Sequence, residues 1–128
     1  MCRDLGDSAI VEVYGLGALA VEASPEAAPS VGLEAAGAPA IVARLRRIGA
    51  GEHPILGWPT ATGELAPAIL GVDARAVVRE RLVPPIHTGI AHREPGVGQI
   101  GGGVTLPPLE AFDSAVSALD ATPAVAPV

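Results

Sequence analysis

The chain has 128 residues and a net charge of −6, with eight basic residues, all arginine, set against 14 acidic ones. That length fits a single domain able to bury roughly two-thirds of its unfolded surface. No long basic stripe interleaved with aromatics is present, which excludes nucleic-acid binding; the lone Cys2 excludes an internal disulfide and a Cys-rich zinc site, and no apolar run reaches the roughly 20 residues of a membrane span.

Ser8 to Tyr14 suits a short strand broken by Gly15-Leu16-Gly17, with Ala18 to Ala23 as a helix after it; one helix from Ser8 onward fits the alanine-rich pattern almost as well. Residues 24 to 39 carry Pro25, Pro29, Gly32, Gly37 and Pro39 and read as a broken connection with one turn of helix. Ala40 to Ile48 forms an amphipathic helix, with Ile41, Val42, Leu45 and Ile48 on one face and Arg44 and Arg47 on the other; Gly49-Ala50-Gly51 ends it. Residues 52 to 68 read as loop, because prolines and glycines are spaced too closely there for a long element. Asp73 is placed to cap a helix from Ala74 to about Leu82, which Pro84-Pro85 stops. A strand from Val83 to Ala91 then runs into a polar, glycine-lined loop. Pro107-Pro108 opens a last helix with Leu109, Phe112, Val116 and Leu119 at helical spacing, and residues 121 to 128 form a disordered tail. The alternation points to an α/β fold: a small mixed sheet with flanking helices and a glycine-rich loop, part of a larger multi-domain fold. The core is dominated by alanine, and small side chains bury little area each, so the domain is expected to lean on another surface.

Residues 85 to 103 join two histidines, an Arg-Glu pair and six glycines. Such glycine density weakens any helix or strand, and is kept where the backbone takes φ > 0 or approaches something closely. Arg93 offers a planar fork of donors for carboxylate or phosphate, and successive glycine amides can form a concave nest for an anion. His92 beside it suits general acid or base work near neutral pH. The bland alternative is an Arg93–Glu94 ion pair on a solvated loop. His87, His92 and Glu94 have the residue types of a two-histidine, one-carboxylate metal triad, but the odd spacing of the histidines puts them on opposite strand faces, and no metal is expected. Gly96-Val97-Gly98-Gln99-Ile100-Gly101 matches a dinucleotide fingerprint, yet Pro107 and Pro108 deny it the helix that motif needs. Gly15 to Ala20 is a second near-match, shortened by Pro25 and Pro29. No nucleophile stands in a recognisable triad.

Three segments, Asp4 to Ala20, Gly71 to Val78 and Thr88 to Gly103, occur in this order in the YlbE/YahG-like family, which the chain resembles over about residues 3 to 120. The match is to the family's C-terminal part, which implies either a truncated gene product or a start codon set too late, with residues 1–120 as one α/β portion. Departures stand at His53 and His87, where relatives tend to carry asparagine, and between Ser24 and Ala40. The resemblance implies an AllG-type oxamate carbamoyltransferase subunit of anaerobic allantoin breakdown, partnered by other subunits of that enzyme. Its substrates would be small anions, carbamoyl phosphate and oxamate, and the transfer needs no metal or nucleotide cofactor. The residues expected to carry it are His92 and Arg93 for catalysis, with His87, Thr88, Glu94, Gly96, Gly98, Gln99, Gly101 and Gly102 for anion binding. The competing expectation is an inert truncated domain that serves as a subunit-interaction module. An N-terminus carrying Arg3, Asp4 and Asp7 lacks the pattern of a secretory signal, so the expected location is cytoplasmic.

Overall fold

The computed structural model describes residues 9–31, 34–60 and 62–122. The chain opens with α1 (Ala9–Val13), a helix where a strand was the first expectation; Ser8 lies outside the described residues. The period of I-V-E-V-Y is ambiguous, and tertiary contacts decide it. The helix turns Glu12 inward and leaves Ile10, Val13 and Tyr14 outside. It cannot run on through Gly15 and Gly17, whose φ values of 90° and 64° are left-handed. Short 3-10 helices follow at Gly17–Ala23, Pro25–Val31 and Ala35–Gly37, so the second expected helix and the broken connection both resolve into tight 3-10 turns.

Helix α2 (Ala38–Leu45) continues as a 3-10 turn over Arg46–Ile48, close to the expected span, and Pro39 sits in its first turn, where a missing N–H does no harm. The segment read as loop is instead a hairpin. β1 (Gly49–Pro59) pairs antiparallel with β2 (Leu65–Val72), and the register shifts between Glu52 and Gly57. The bulge so formed carries Pro54 off the ladder, which is how a proline survives inside the strand. His53 organises the bulge: its Nδ1 accepts from the N–H groups of Ile55 and Leu56 at 3.1 and 2.9 Å, and its Nε2 lies 3.2 Å from the Tyr14 hydroxyl.

Asp73 caps α3 (Ala74–Glu80) as expected, its carboxylate accepting from Arg75 N–H at 2.8 Å. Asp73→Ala should cost about 1 kcal/mol, read as a fall of several degrees in the thermal midpoint. Arg81, at φ 49°, ends the helix in the left-handed conformation. β3 (Ile86–Ala91) starts later than Val83, because Pro84 and Pro85 have no N–H for a ladder. β4 (Gln99–Thr105) pairs antiparallel with it, so the second half of the expected glycine loop is strand. The α/β class holds, in the form of two separate antiparallel two-stranded sheets with flanking helices. α4 (Leu109–Ala121) lies on α3, tied by Arg75–Asp120 at 2.6 Å, with Leu109 and Phe112 against the core. It includes Ala121; residues 123–128 of the expected tail lie outside the described residues.

The core gathers Leu19, Val42, Ile48, Ile69 and Val77 around Trp58, from the 3-10 segments, α2, both strands of the first hairpin and α3. Trp58 Nε1 donates to Glu22 at 2.9 Å, satisfying the indole, and the Arg46 guanidinium stands 5.9 Å over its ring. No helix among the described residues is long and apolar enough to cross a membrane.

Candidate functional site

The second hairpin divides the expected site residues into two groups. At the start of β3 and along β4, His87, Gln99, Gly101 and Gly102 line one open hollow of about 490 Å³, with Ile100 beside them. Gly102 forms its floor. A side chain there would meet the Thr88 carbonyl oxygen at 3.1 Å, Gln99 Nε2 at 3.4 Å and His87 Nε2 at 3.8 Å. Glycine thus keeps the space between the imidazole and the carboxamide clear. Gln99 Nε2 donates one hydrogen to Gly101 O at 2.8 Å, which fixes the carboxamide and leaves its second N–H available. Thr88, 3% exposed, is buried in the strand between them.

The second group lies in the turn that closes the hairpin. Glu94-Pro95-Gly96-Val97 forms it, with proline setting the first φ and Gly96 at φ 87°, and Gly98 follows at φ 86°. His92 N–H donates to Gly98 O at 2.9 Å, and His92 Nδ1 accepts from Glu94 N–H at 3.1 Å. Arg93 is exposed and, among the described residues, pairs with neither Glu94 nor any other carboxylate. His92 follows the last residue of β3, five positions and roughly 16 Å of extended chain from His87. Among the described residues no three His, Cys, Asp or Glu side chains gather as a metal site, so His87, His92 and Glu94 do not form one. Along β4 the extended backbone points successive N–H groups in opposite directions, so Gly101 to Gly103 do not form a nest of adjacent amides. The donors that converge there are side chains.

A nest does exist elsewhere, and it is filled. Glu12, 1% exposed, is the acid of an otherwise apolar helix, and its carboxylate accepts from Ala18 N–H at 2.9 Å, Leu19 N–H at 3.4 Å and His87 N–H at 3.1 Å. Burial pushes its carboxyl above the ordinary value; the hydrogen bonds from His87, Ala18 and Leu19, and the nearby His87 side chain, pull the other way. Gly17 allows this close approach, since a Cβ at that position would run into the carboxylate. These are the amides that a nucleotide phosphate would need at the Gly15 to Ala20 near-match, so that motif serves an internal carboxylate. The one mark of Glu12 in the sequence is that it is a lone acid in an apolar run, three residues before Gly15-Leu16-Gly17, and its role is set by contacts distant in sequence. A smaller cavity of about 170 Å³ adjoins the nest, lined by Gly17, Ala18, Ala20, Val21, Ser24, Ala27 and, again, His87.

The architecture is thus an α/β unit of two antiparallel hairpins, with a polar hollow on the second and a buried carboxylate tying its first residues to the N-terminal helix. No protein-family model matches the chain. It is 40% identical over 119 residues to the oxamate carbamoyltransferase subunit AllG of Escherichia coli K12, covering 91% of this chain and 27% of that protein. It is 35% identical over 113 residues to the protein YahG of the same organism, covering 88% of this chain and 24% of that one. The crystal structure of a conserved protein of unknown function from Enterococcus faecalis V583 superposes with a TM-score of 0.76 at 39% identity, over 91% of this chain and 27% of the other. By sequence and fold the chain is AllG/YahG-like, and it spans about a quarter of the length of the relatives it matches.

Proposed function

We propose that the chain is part of a carbamoyltransferase-type subunit and that its second hairpin takes a small anionic substrate, carbamoyl phosphate or oxamate. The observation that carries this reading is the 40% identity to a carbamoyltransferase subunit across nine-tenths of the chain. The hairpin supplies suitable chemistry. At one end of the hairpin His87 and Gln99 present nitrogen donors over the cleared Gly102, suited to oxamate; at the other end the exposed Arg93 has the fork geometry that phosphate accepts, suited to carbamoyl phosphate. In the transfer, the oxamate nitrogen bonds to the carbamoyl carbon, and the bond to phosphate breaks with its electron pair leaving on the phosphate oxygen. The nitrogen proton passes to that phosphate; His92, whose Nδ1 accepts from Glu94 N–H, would serve as an acid through Nε2–H toward the leaving oxygen. Arg93 would balance charge on the leaving phosphate. Thr88 is buried within β3, Glu94 N–H bonds His92 Nδ1 in the turn, Gly96 and Gly98 give that turn its left-handed corners, and Gly101 leaves room for the Ile90 side chain. In this reading the chain works with further carbamoyltransferase subunits in cytoplasmic allantoin breakdown, and the reaction asks for no cofactor.

A second reading, an inert module for subunit interaction, is favoured by the exposure of large apolar side chains such as Ile10 (85%) and Ile55 (84%). Arg93→Ala separates the two. A charge-assisted pair is worth about 1.5–3 kcal/mol, so calorimetric titration with carbamoyl phosphate should show binding weakened roughly tenfold to a hundredfold, with assembly intact. Unchanged carbamoyl phosphate binding in Arg93→Ala, or association lost when Gly96 or Gly98 is replaced, would favour the interaction module.

A further inference from the structure

We infer that Glu12 is a positioning residue for His87: the buried carboxylate holds the first residues of β3 so that His87 stands between the two cavities. The inference rests on the reading of the hairpin hollow as an anion site, and adds to it the group that sets the donor in place.

The division of labour between the two carboxylate oxygens carries the argument. Oε2 takes Ala18 N–H at 2.9 Å and Leu19 N–H at 3.4 Å, capping the 3-10 helix after Gly17. Oε1 takes His87 N–H at 3.1 Å, 75 residues along the chain, as well as a longer contact from Ala18 at 3.2 Å. A cap alone needs one oxygen close by in sequence, and serine or aspartate at the helix start would supply it. Glutamate reaches further, and its second oxygen joins the N-terminal segment to β3. The position of His87 makes that link consequential. Pro84 and Pro85 precede it without N–H groups, so β3 begins with few backbone donors to anchor it. His87 lines both the hollow of Gln99 to Gly102 and the smaller cavity of Gly17, Ala18 and Ser24. Its Nε2 faces the clear space over Gly102. A shift of the His87 backbone would move that nitrogen away from the Gln99 carboxamide with which it shares the hollow.

Glu12→Gln tests this, because a carboxamide has one acceptor oxygen and an NH₂ group that can only donate. If the oxygen serves Ala18 and Leu19, the NH₂ opposes His87 N–H, and the link to β3 is lost. If the oxygen serves His87, the cap fails instead. Val42→Ala, a core truncation on α2 with no hydrogen bond to β3, is the matched control for lost stability. Wild type, Glu12→Gln, Glu12→Ala and Val42→Ala are compared by NMR, with oxamate as the probe, at a temperature where all four are folded. The expected result is that Glu12→Gln moves the amide and ring signals of His87 together with those of Gln99 and Gly102, and weakens oxamate binding at least tenfold. Val42→Ala should leave these signals and the affinity at their wild-type values. The inference is overturned if Glu12→Ala, which removes both oxygens, moves Ala18 and Leu19 but not His87, or if Val42→Ala weakens oxamate binding equally. If Glu12→Gln does not fold, Glu12→Asp, one methylene shorter, takes its place with the same expectations. Failure of the wild type to bind oxamate would count against the anion reading, while the His87 signals would still decide whether Glu12 holds that residue in place.

Discussion

Gly15→Ala is expected to prevent the chain from folding. Gly15 follows α1 at φ 90°, a conformation that costs an L-residue roughly 1 kcal/mol or more before any contact is counted. The larger effect is steric: a Cβ on Gly15 would overlap the backbone carbonyl oxygen of Ile69, in the centre of β2. A side chain can swing aside, but a strand carbonyl held in a ladder cannot move without breaking the sheet. Ile69 is itself fully buried in the core, so the displacement would spread through the packing of Ile48 and Val77. A loss above about 5 kcal/mol follows, the whole stability of a domain at the weak end of the ordinary range, where an alanine-dominated core places this one. Thermal unfolding and hydrogen exchange of the purified variant would show no cooperative transition. A Gly15→Ala protein that melts within a few degrees of wild type would refute the close approach of α1 to β2.

Glu12→Ala is expected to cost about 3 kcal/mol, because it leaves the N–H groups of Ala18, Leu19 and His87 buried without an acceptor. This variant also separates the effect of burial from that of hydrogen bonding. Burial holds the Glu12 carboxyl above its ordinary value of 4.5, so the folded chain binds that proton more tightly than the unfolded chain does. Stability from such a group is fully present below the unfolded value and falls as pH rises through the raised folded value. The gap between wild type and Glu12→Ala in thermal midpoint should therefore be wider at pH 4.5 than at pH 7. Glu80 and Asp120, held low by Arg47 and Arg75, act in the opposite direction, but they are common to both proteins and cancel in the comparison. A gap that widens toward pH 7 would mean that the backbone donors outweigh burial at Glu12.

The helices were legible wherever local chemistry and tertiary packing agree. Asp73 caps α3 as a short acceptor before an apolar run should, and the Pro107-Pro108 pair does precede α4. Strand β1 was hidden because Pro54, Gly57 and Pro59 read locally as breakers. They are tolerated by a bulge that His53 holds together and by a close approach at Gly57, where a Cβ would lie 2.7 Å from Ala66 O. Only the partner strand reveals that. The glycines of β4 misled in the same way. Gly102 looked like loop, yet it is strand, where a Cβ would meet the Thr88 carbonyl oxygen at 3.1 Å and Gln99 Nε2 at 3.4 Å. Of the residues proposed for the site, the structure brings His87, Gln99, Gly101 and Gly102 to one hollow, and these were conspicuous in the sequence by type and density. Glu12 was not, because its role depends on amides brought to it by a left-handed turn and by β3, 75 residues away.

The measurement that bears most directly on the central claim is thermal unfolding of the chain with and without carbamoyl phosphate, run beside Arg93→Ala. A ligand at about a hundred times its dissociation constant stabilises by roughly 2.7 kcal/mol, a rise of several degrees for a domain of this size. A hairpin that binds the anion predicts that rise in the wild type and its loss in Arg93→Ala. An unchanged midpoint at high excess of carbamoyl phosphate, or an equal rise in both proteins, would contradict it.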